Sequence, residues 1–311
     1  MRRLPILRLL PLAGLSACGA TNLAQGWQLD RVRILGVRAT PAEPRPGERV
    51  TFESLVYTPA GTELGGVLWF ACLPDSADDF GCELDPSVAE LFGEDLESLT
   101  PDEQAALYQQ AVEAGFVGFE PLLPPSWTAP ADALDGLDAT AQLEGVSAIV
   151  NLTALPEDAD AEDADVEVAY KRLPISLAET PNHNPDVVGF EVYANPVFRD
   201  GTFVRGTAVS VESGGFTAER GVEYQLVPLF ADDAIETYRF TLDDGTVEER
   251  TEEPFYTWYT EGGSFLQEFS LHPYSSTTWT APDAAFEGVV VAVARDRRGG
   301  MGWSSLQVTV P

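Results

Sequence analysis

Five side chains could supply sulfur or imidazole chemistry: Cys18, Cys72, Cys82, His183 and His272, the only cysteines and histidines in 311 residues. Two imidazoles cannot build a multi-histidine metal site, and three thiols cannot close a four-cysteine zinc site. His183 sits in Pro181-Asn-His183-Asn-Pro185 and His272 precedes Pro273, contexts that suit solvated loops rather than general bases. No Gly-x-Ser-x-Gly elbow, His-Glu-x-x-His pair or phosphate loop occurs, and Gly300-Met-Gly302 reads as a turn between strands. Carboxylates are abundant, but their spacing locates no acid–base pair. These absences argue against an enzyme, and no catalytic residue, metal site or cofactor is assigned.

The 50 Asp and Glu against 18 Lys and Arg give a net charge of −32. Such a chain cannot release counterions from phosphates, which excludes nucleic acid as a partner. The run from Glu157 to Asp165 superficially suggests a calcium loop. Asp163 stands where that loop needs glycine and Ala169 where it needs the bidentate glutamate, so a solvated hairpin loop is the better reading. Acidic pairs at Asp78-Asp79, Asp232-Asp233 and Asp243-Asp244 leave room only for weak calcium uptake. Phe255-Tyr256-Thr-Trp258-Tyr259 places aromatics on both faces of one strand. With Tyr256 and Trp258 in a core, Phe255 and Tyr259 become ligand-binding candidates for a sugar or a protein. The alternative is that a neighbouring domain covers them.

The first residues, MRRLPILRLLPLAGLSACGA, join a basic end to an apolar stretch too short to span a bilayer as a helix. Leu15-Ser16-Ala17-Cys18 resembles the bacterial lipobox, which implies cleavage before Cys18 and acylation of its thiol. Several acyl chains at about 0.8 kcal/mol per buried methylene would hold the protein on a membrane almost permanently. Gly19 rather than Asp after the cysteine implies passage to the outer membrane. Loss of residues 1–17 removes three arginines and takes the charge from −32 to −35. In an oxidising compartment, Cys72 and Cys82 would close a small loop worth about 2–3 kcal/mol; two reduced thiols are the alternative.

The remainder is dominated by short alternating strands punctuated by 27 Gly and 23 Pro. Residues 18–28 read as a tether and 29–178 as a first domain with a helical insertion at 85–118. Its clearest signal is the capping box Thr100-Pro101-Asp102-Glu103, ended by Gly115. The insertion would cover one end of a sheet. Residues 179–186 read as a linker and 187–311 as a second domain, in which Asp244-Gly245 signals a hairpin.

The two domains share a pattern. Trp127-Thr-Ala-Pro130 returns as Trp279-Thr-Ala-Pro282, each followed by a Val-rich strand, a loop and a last strand. Upstream, Gly47-Glu-Arg-Val50-Thr-Phe52 has a loose counterpart in Gly221-Val-Glu-Tyr224, and tryptophan strands follow at Trp69 and Trp258. This pattern resembles the tandem immunoglobulin-like modules of bacterial, myxobacterial-type outer-membrane lipoproteins. The resemblance implies an all-β fold of two β-sandwiches and a lipid-anchored place in the cell envelope. The expected role is a surface spacer, scaffold or assembly component. Its partners would be the membrane and an envelope protein or glycan, and a carbohydrate- or protein-binding module is the alternative.

Overall fold

The computed structural model describes residues 25–74, 99–157, 166–200, 202–242, 245–273 and 277–311. Its first part holds β1 (Arg33–Thr40), β2 (Arg49–Tyr57), β3 (Leu64–Cys72), α1 (Pro101–Glu113), β4 (Phe116–Glu120), β5 (Ser126–Thr128), α2 (Ala139–Glu144), β6 (Val146–Pro156) and β7 (Glu167–Ile175). The second opens with β8 (Val187–Ala194), β9 (Val197–Arg199), β10 (Thr202–Val204), β11 (Thr207–Val209), β12 (Gly215–Thr217), β13 (Glu223–Phe230), β14 (Thr237–Thr241) and β15 (Val247–Thr251). It continues with β16 (Phe255–Thr260), β17 (Ser264–Phe265), β18 (Phe269–Leu271), β19 (Thr278–Thr280), β20 (Phe286–Arg295) and β21 (Met301–Val310).

The fold is all-β, two immunoglobulin-like sandwiches with a short helical insertion in the first. Sheet β1-β2-β5 faces β4-β3-β6-β7, and the second copy repeats the arrangement as β8-β13-β19 against β18-β16-β20-β21, with β11, β17 and β12 added at edges. The repeat reaches down to register. Val50 pairs with Trp127 and Tyr224 with Trp279, while Ala129 and Ala281 donate to the carbonyls of Glu48 and Val222. The preceding turn needs a left-handed residue in both copies, at Gly47 (φ 79°) and Gly221 (φ 65°).

Alternation along each strand sends one face inward. Val67, Trp69, Ala71, Val150, Leu152 and Leu173 fill the first core. Tyr256, Trp258, Trp279, Val290, Ala292 and Leu306 contribute to the second. Each central tryptophan needs an acceptor for its indole N–H once buried. Trp69 donates to Glu120 at 3.0 Å and Trp258 to Ser270 at 2.8 Å.

Helix α1 forms on the expected signal: Thr100 and Glu103 cap each other reciprocally, Pro101 opens the helix and Gly115 (φ 93°) follows its end. The insertion is nevertheless shorter than 85–118 at its end. Residues 116–118 belong to β4, which pairs with β3, Gly118 opposite Trp69 and Phe116 opposite Phe70. The helix lies on the outer face of that sheet, with Ala111 packed on Phe70 and Phe116, rather than over its end. Its earlier candidate turn, Asp85 to Gly93, lies outside the described residues, as do most of the acidic run, Asp78-Asp79 and Asp243-Asp244. The hairpin of β14 and β15 is present, and Gly245 takes φ 82° in its turn.

Leu152 is fully buried in the first core. Leu152→Ala should cost about 2–5 kcal/mol in urea denaturation, and a loss under about 1 kcal/mol would contradict this packing.

Candidate functional site

The outer face of the second sandwich's β16 and β20 is apolar, and the first sandwich covers it. Tyr259, Val291 and Val293 pack with Leu29 and Leu35 in a cluster of their own. Tyr259 is 7% exposed and carries the Arg33 guanidinium 5.5 Å from its ring centre. Of the two readings for Phe255 and Tyr259, Tyr259 follows the one in which the neighbouring domain covers it, and the exposed ligand-binding pair does not form. Phe255, half-buried, lies beneath Arg295 at the lip of the same contact. The expected tether is corrected too. Leu29 N–H donates to Thr260 O and Thr260 N–H to Trp27 O, so residues 27–29 are docked on the second sandwich.

Beside this apolar patch lies a polar one, built around the turn between β20 and β21. Asp296, 2% exposed, accepts from the N–H groups of Arg298, Gly299 and Gly300 at 2.7, 3.0 and 2.9 Å. These bonds wrap the turn around one carboxylate oxygen; the other accepts from Asn182 Nδ2 at 2.8 Å. Glycines follow because backbone arrives where a side chain would sit. A Cβ at Gly300 would fall 2.6 Å from His183 O, and one at Gly302 1.8 Å from Pro185 O. Gly300-Met-Gly302 is a packing motif at the end of a turn.

The turn aims Arg298 into a ring of acceptors from three separate segments. Its guanidinium meets Glu252 at 3.2 Å, Glu236 at 3.3 Å and Glu43 at 3.5 Å, and donates to Thr180 O at 2.9 Å. Glu43 comes from the first sandwich, Thr180 from the segment between the two, and Glu236 and Glu252 from the foot of the β14–β15 hairpin. Tyr238 on that hairpin stacks its ring 4.3 Å from the guanidinium carbon. Glu43 also receives Asn182 N–H at 2.6 Å and the Ser176 hydroxyl. Burial drives the Glu252 carboxyl up to about 7, assisted by the charges of Asp296 and Glu236 and opposed by the Glu236 N–H and by Arg298.

The segment expected to be a linker is a seam. Asn184 donates to Ala39 O of β1 at 2.8 Å and accepts Met301 N–H of β21 at 3.0 Å. Arg295 reaches Leu35 O at 3.2 Å, and Arg38 lies over the Trp303 ring at 4.8 Å. His183 is tied to Glu236 through Nδ1 at 2.6 Å, and His272 meets the buried Tyr256 hydroxyl at 3.1 Å. His183 stays largely exposed, whereas His272 is half-buried. Cys72 ends β3, whereas Cys18 and Cys82 lie outside the described residues. Among the described residues no group of three or more His, Cys, Asp or Glu is arranged to hold a metal ion.

No protein-family model matches this chain, and no curated protein matches it. Among solved structures, a chain from "Structures of Clostridium thermocellum CbhA fibronectin(III)-like modules" aligns over 88% of this chain and 94% of its own, at 8% identity and a TM-score of 0.21.

Two predictions follow from the ring of charges. Arg298→Ala leaves carboxylates buried without their cation and should cost about 3–5 kcal/mol in urea denaturation; a loss below about 1 kcal/mol would contradict the geometry. For Glu252, the folded chain retains a proton that an ordinary glutamate, near 4.5, has lost. Its ionisation therefore lowers stability as pH rises from about 4.5 to 7, with no further change above. Glu252→Gln should remove that component, so the variant gains stability relative to the parent across this window. Parallel stability–pH curves would contradict it.

Proposed function

We propose that this protein is a non-enzymatic, lipid-anchored spacer or scaffold of the bacterial cell envelope, held on the outer membrane through acylated Cys18. The observation that supports this reading best is the lock between the sandwiches. A catalytic or capturing cleft between domains usually opens and closes, whereas here Arg298, Asn184 and the Tyr259 patch join the two modules at three places. The docked N-terminal segment adds to it. Eight residues, 19–26, separate the proposed anchor from Trp27, which is docked on the second sandwich, a reach of at most about 32 Å at about 3.5 Å per residue. A stiff body on so short a leash suits a part that holds something at a fixed height above a membrane. The net charge of −35 left after loss of residues 1–17 keeps such a body soluble beside an anionic surface. A Cys72–Cys82 bridge, formed in the same oxidising compartment, belongs to this proposal.

The test is metabolic labelling with an alkyne-bearing fatty acid in a bacterial host. The parent should incorporate label and fractionate with membranes, while Cys18→Ser should lose both. Retained membrane association in Cys18→Ser would overturn the anchor.

A further inference from the structure

The seam between the sandwiches leaves a groove of about 480 Å³ whose charge is opposite to that of the protein. Lys171, Arg172, Arg295, Arg297 and Arg298 all line it. These are five of only eighteen basic residues, and Lys171 is the chain's sole lysine. With fifty acidic residues available, no Asp or Glu lines the groove among the described residues. Arg298 is already paired with Glu43, Glu236 and Glu252, and the two oxygens of Asp296 are occupied by the N–H groups of its own turn and by Asn182.

The cations divide into floor and mouth. Lys171 is 6% exposed, and its ammonium donates to Gly299 O across the seam. An ammonium carries three N–H donors, so this one carbonyl leaves capacity unused. Burial lowers its pKa to about 8, with Asp296 opposing and Arg295 assisting. Such an amine remains largely charged at neutral pH, and an added anion would stabilise it further. Arg172 and Arg297 are exposed at the rim, where the turn holds Arg297 at φ 72°. Apart from Ser147 and glycine backbone, the remaining walls are apolar or aromatic, among them Ile34, Pro174, Met301, Tyr170 and Phe255.

We infer that this groove binds a small organic anion, with an oxyanion head toward Lys171, Arg172 and Arg297 and a ring-sized body against the apolar walls. The volume falls within the range of small-molecule sites, roughly 300–1,000 Å³. Guanidinium forks pair with carboxylate, sulfate or phosphate oxygens through charge-assisted bonds. A bare inorganic ion would leave the apolar walls unused. The site lies within the locked body and needs no opening of the domains, so it stands or falls independently of the lipid anchor.

Because Lys171 is the sole lysine, the full chain grown on lysine labelled with ¹³C at the ε carbon should show one ε resonance. Three probes each join a ring to a different oxyanion: galacturonate, phenyl phosphate and toluenesulfonate. At least one should move that resonance saturably at millimolar concentration or below. Galactose, phenol and toluenesulfonamide, the matched neutral compounds, should not. Arg172→Ala/Arg297→Ala should weaken the responding probe tenfold or more while leaving the unliganded resonance in place, which reports an intact fold. No response to any ring anion, an equal response to the neutral partner, or undiminished affinity in the double variant would overturn the site. Equal affinity for inorganic phosphate would overturn the organic body of the ligand.

Discussion

A guanidinium withdrawn from water is costly unless acceptors meet it, and the acceptors that meet Arg298 lie on three separate segments. Its side chain is only 16% exposed, and Glu252 beside it only 1%. Glu43 must arrive from the first sandwich, Thr180 from the connecting segment and the two other glutamates from the β14–β15 hairpin. None of these segments can leave without stranding charge. The turn carrying Arg298 is itself wound around Asp296, whose second oxygen holds Asn182 in the seam. One buried cation therefore couples three stretches of chain that are remote in sequence. The neighbouring groove inherits its shape from the same turn.

The two sandwiches solve a common problem differently. In each, the residue after the central tryptophan points outward and is aromatic: Phe70 after Trp69, Tyr259 after Trp258. In the first copy α1 covers that face, with Ala111 and Phe116 against Phe70. In the second, no helix lies there among the described residues, and Leu29 and Leu35 from the first copy's leading segment cover Tyr259. The same apolar outer face is thus closed by an insertion in one module and by a module in the other. Duplication of the fold with unequal covering gives the pair a defined order: the first sandwich covers the second sandwich's outer sheet face, while its own is closed by the helix.

Much of the architecture was legible because it rests on local rules. The Trp-Thr-Ala-Pro repeat marks equivalent strands, since the tryptophan and the alanine two residues on each occupy one register position in each copy. Thr100-Pro101 and Glu103 announce a helix because capping needs only four consecutive residues. Alternation placed Tyr256 and Trp258 in the core correctly but could not say what faced Tyr259, because the cover comes from residues 29–35. The Arg298 ring was illegible for a stronger reason. Its members stand at 43, 180, 236, 252 and 298, and charged residues are ordinarily exposed, so nothing local signals their burial. One faint sign was available: Asp296 followed after two arginines by paired glycines, between two long strands.

The claim at the centre of this account is that the sandwiches form one cooperative unit. Differential scanning calorimetry of the full chain tests it most directly. Coupling through Arg298, Asn184 and the Tyr259 patch predicts a single transition whose calorimetric and van't Hoff enthalpies agree. Two separate transitions, or a calorimetric enthalpy near twice the van't Hoff value, would show that the domains melt independently and contradict it.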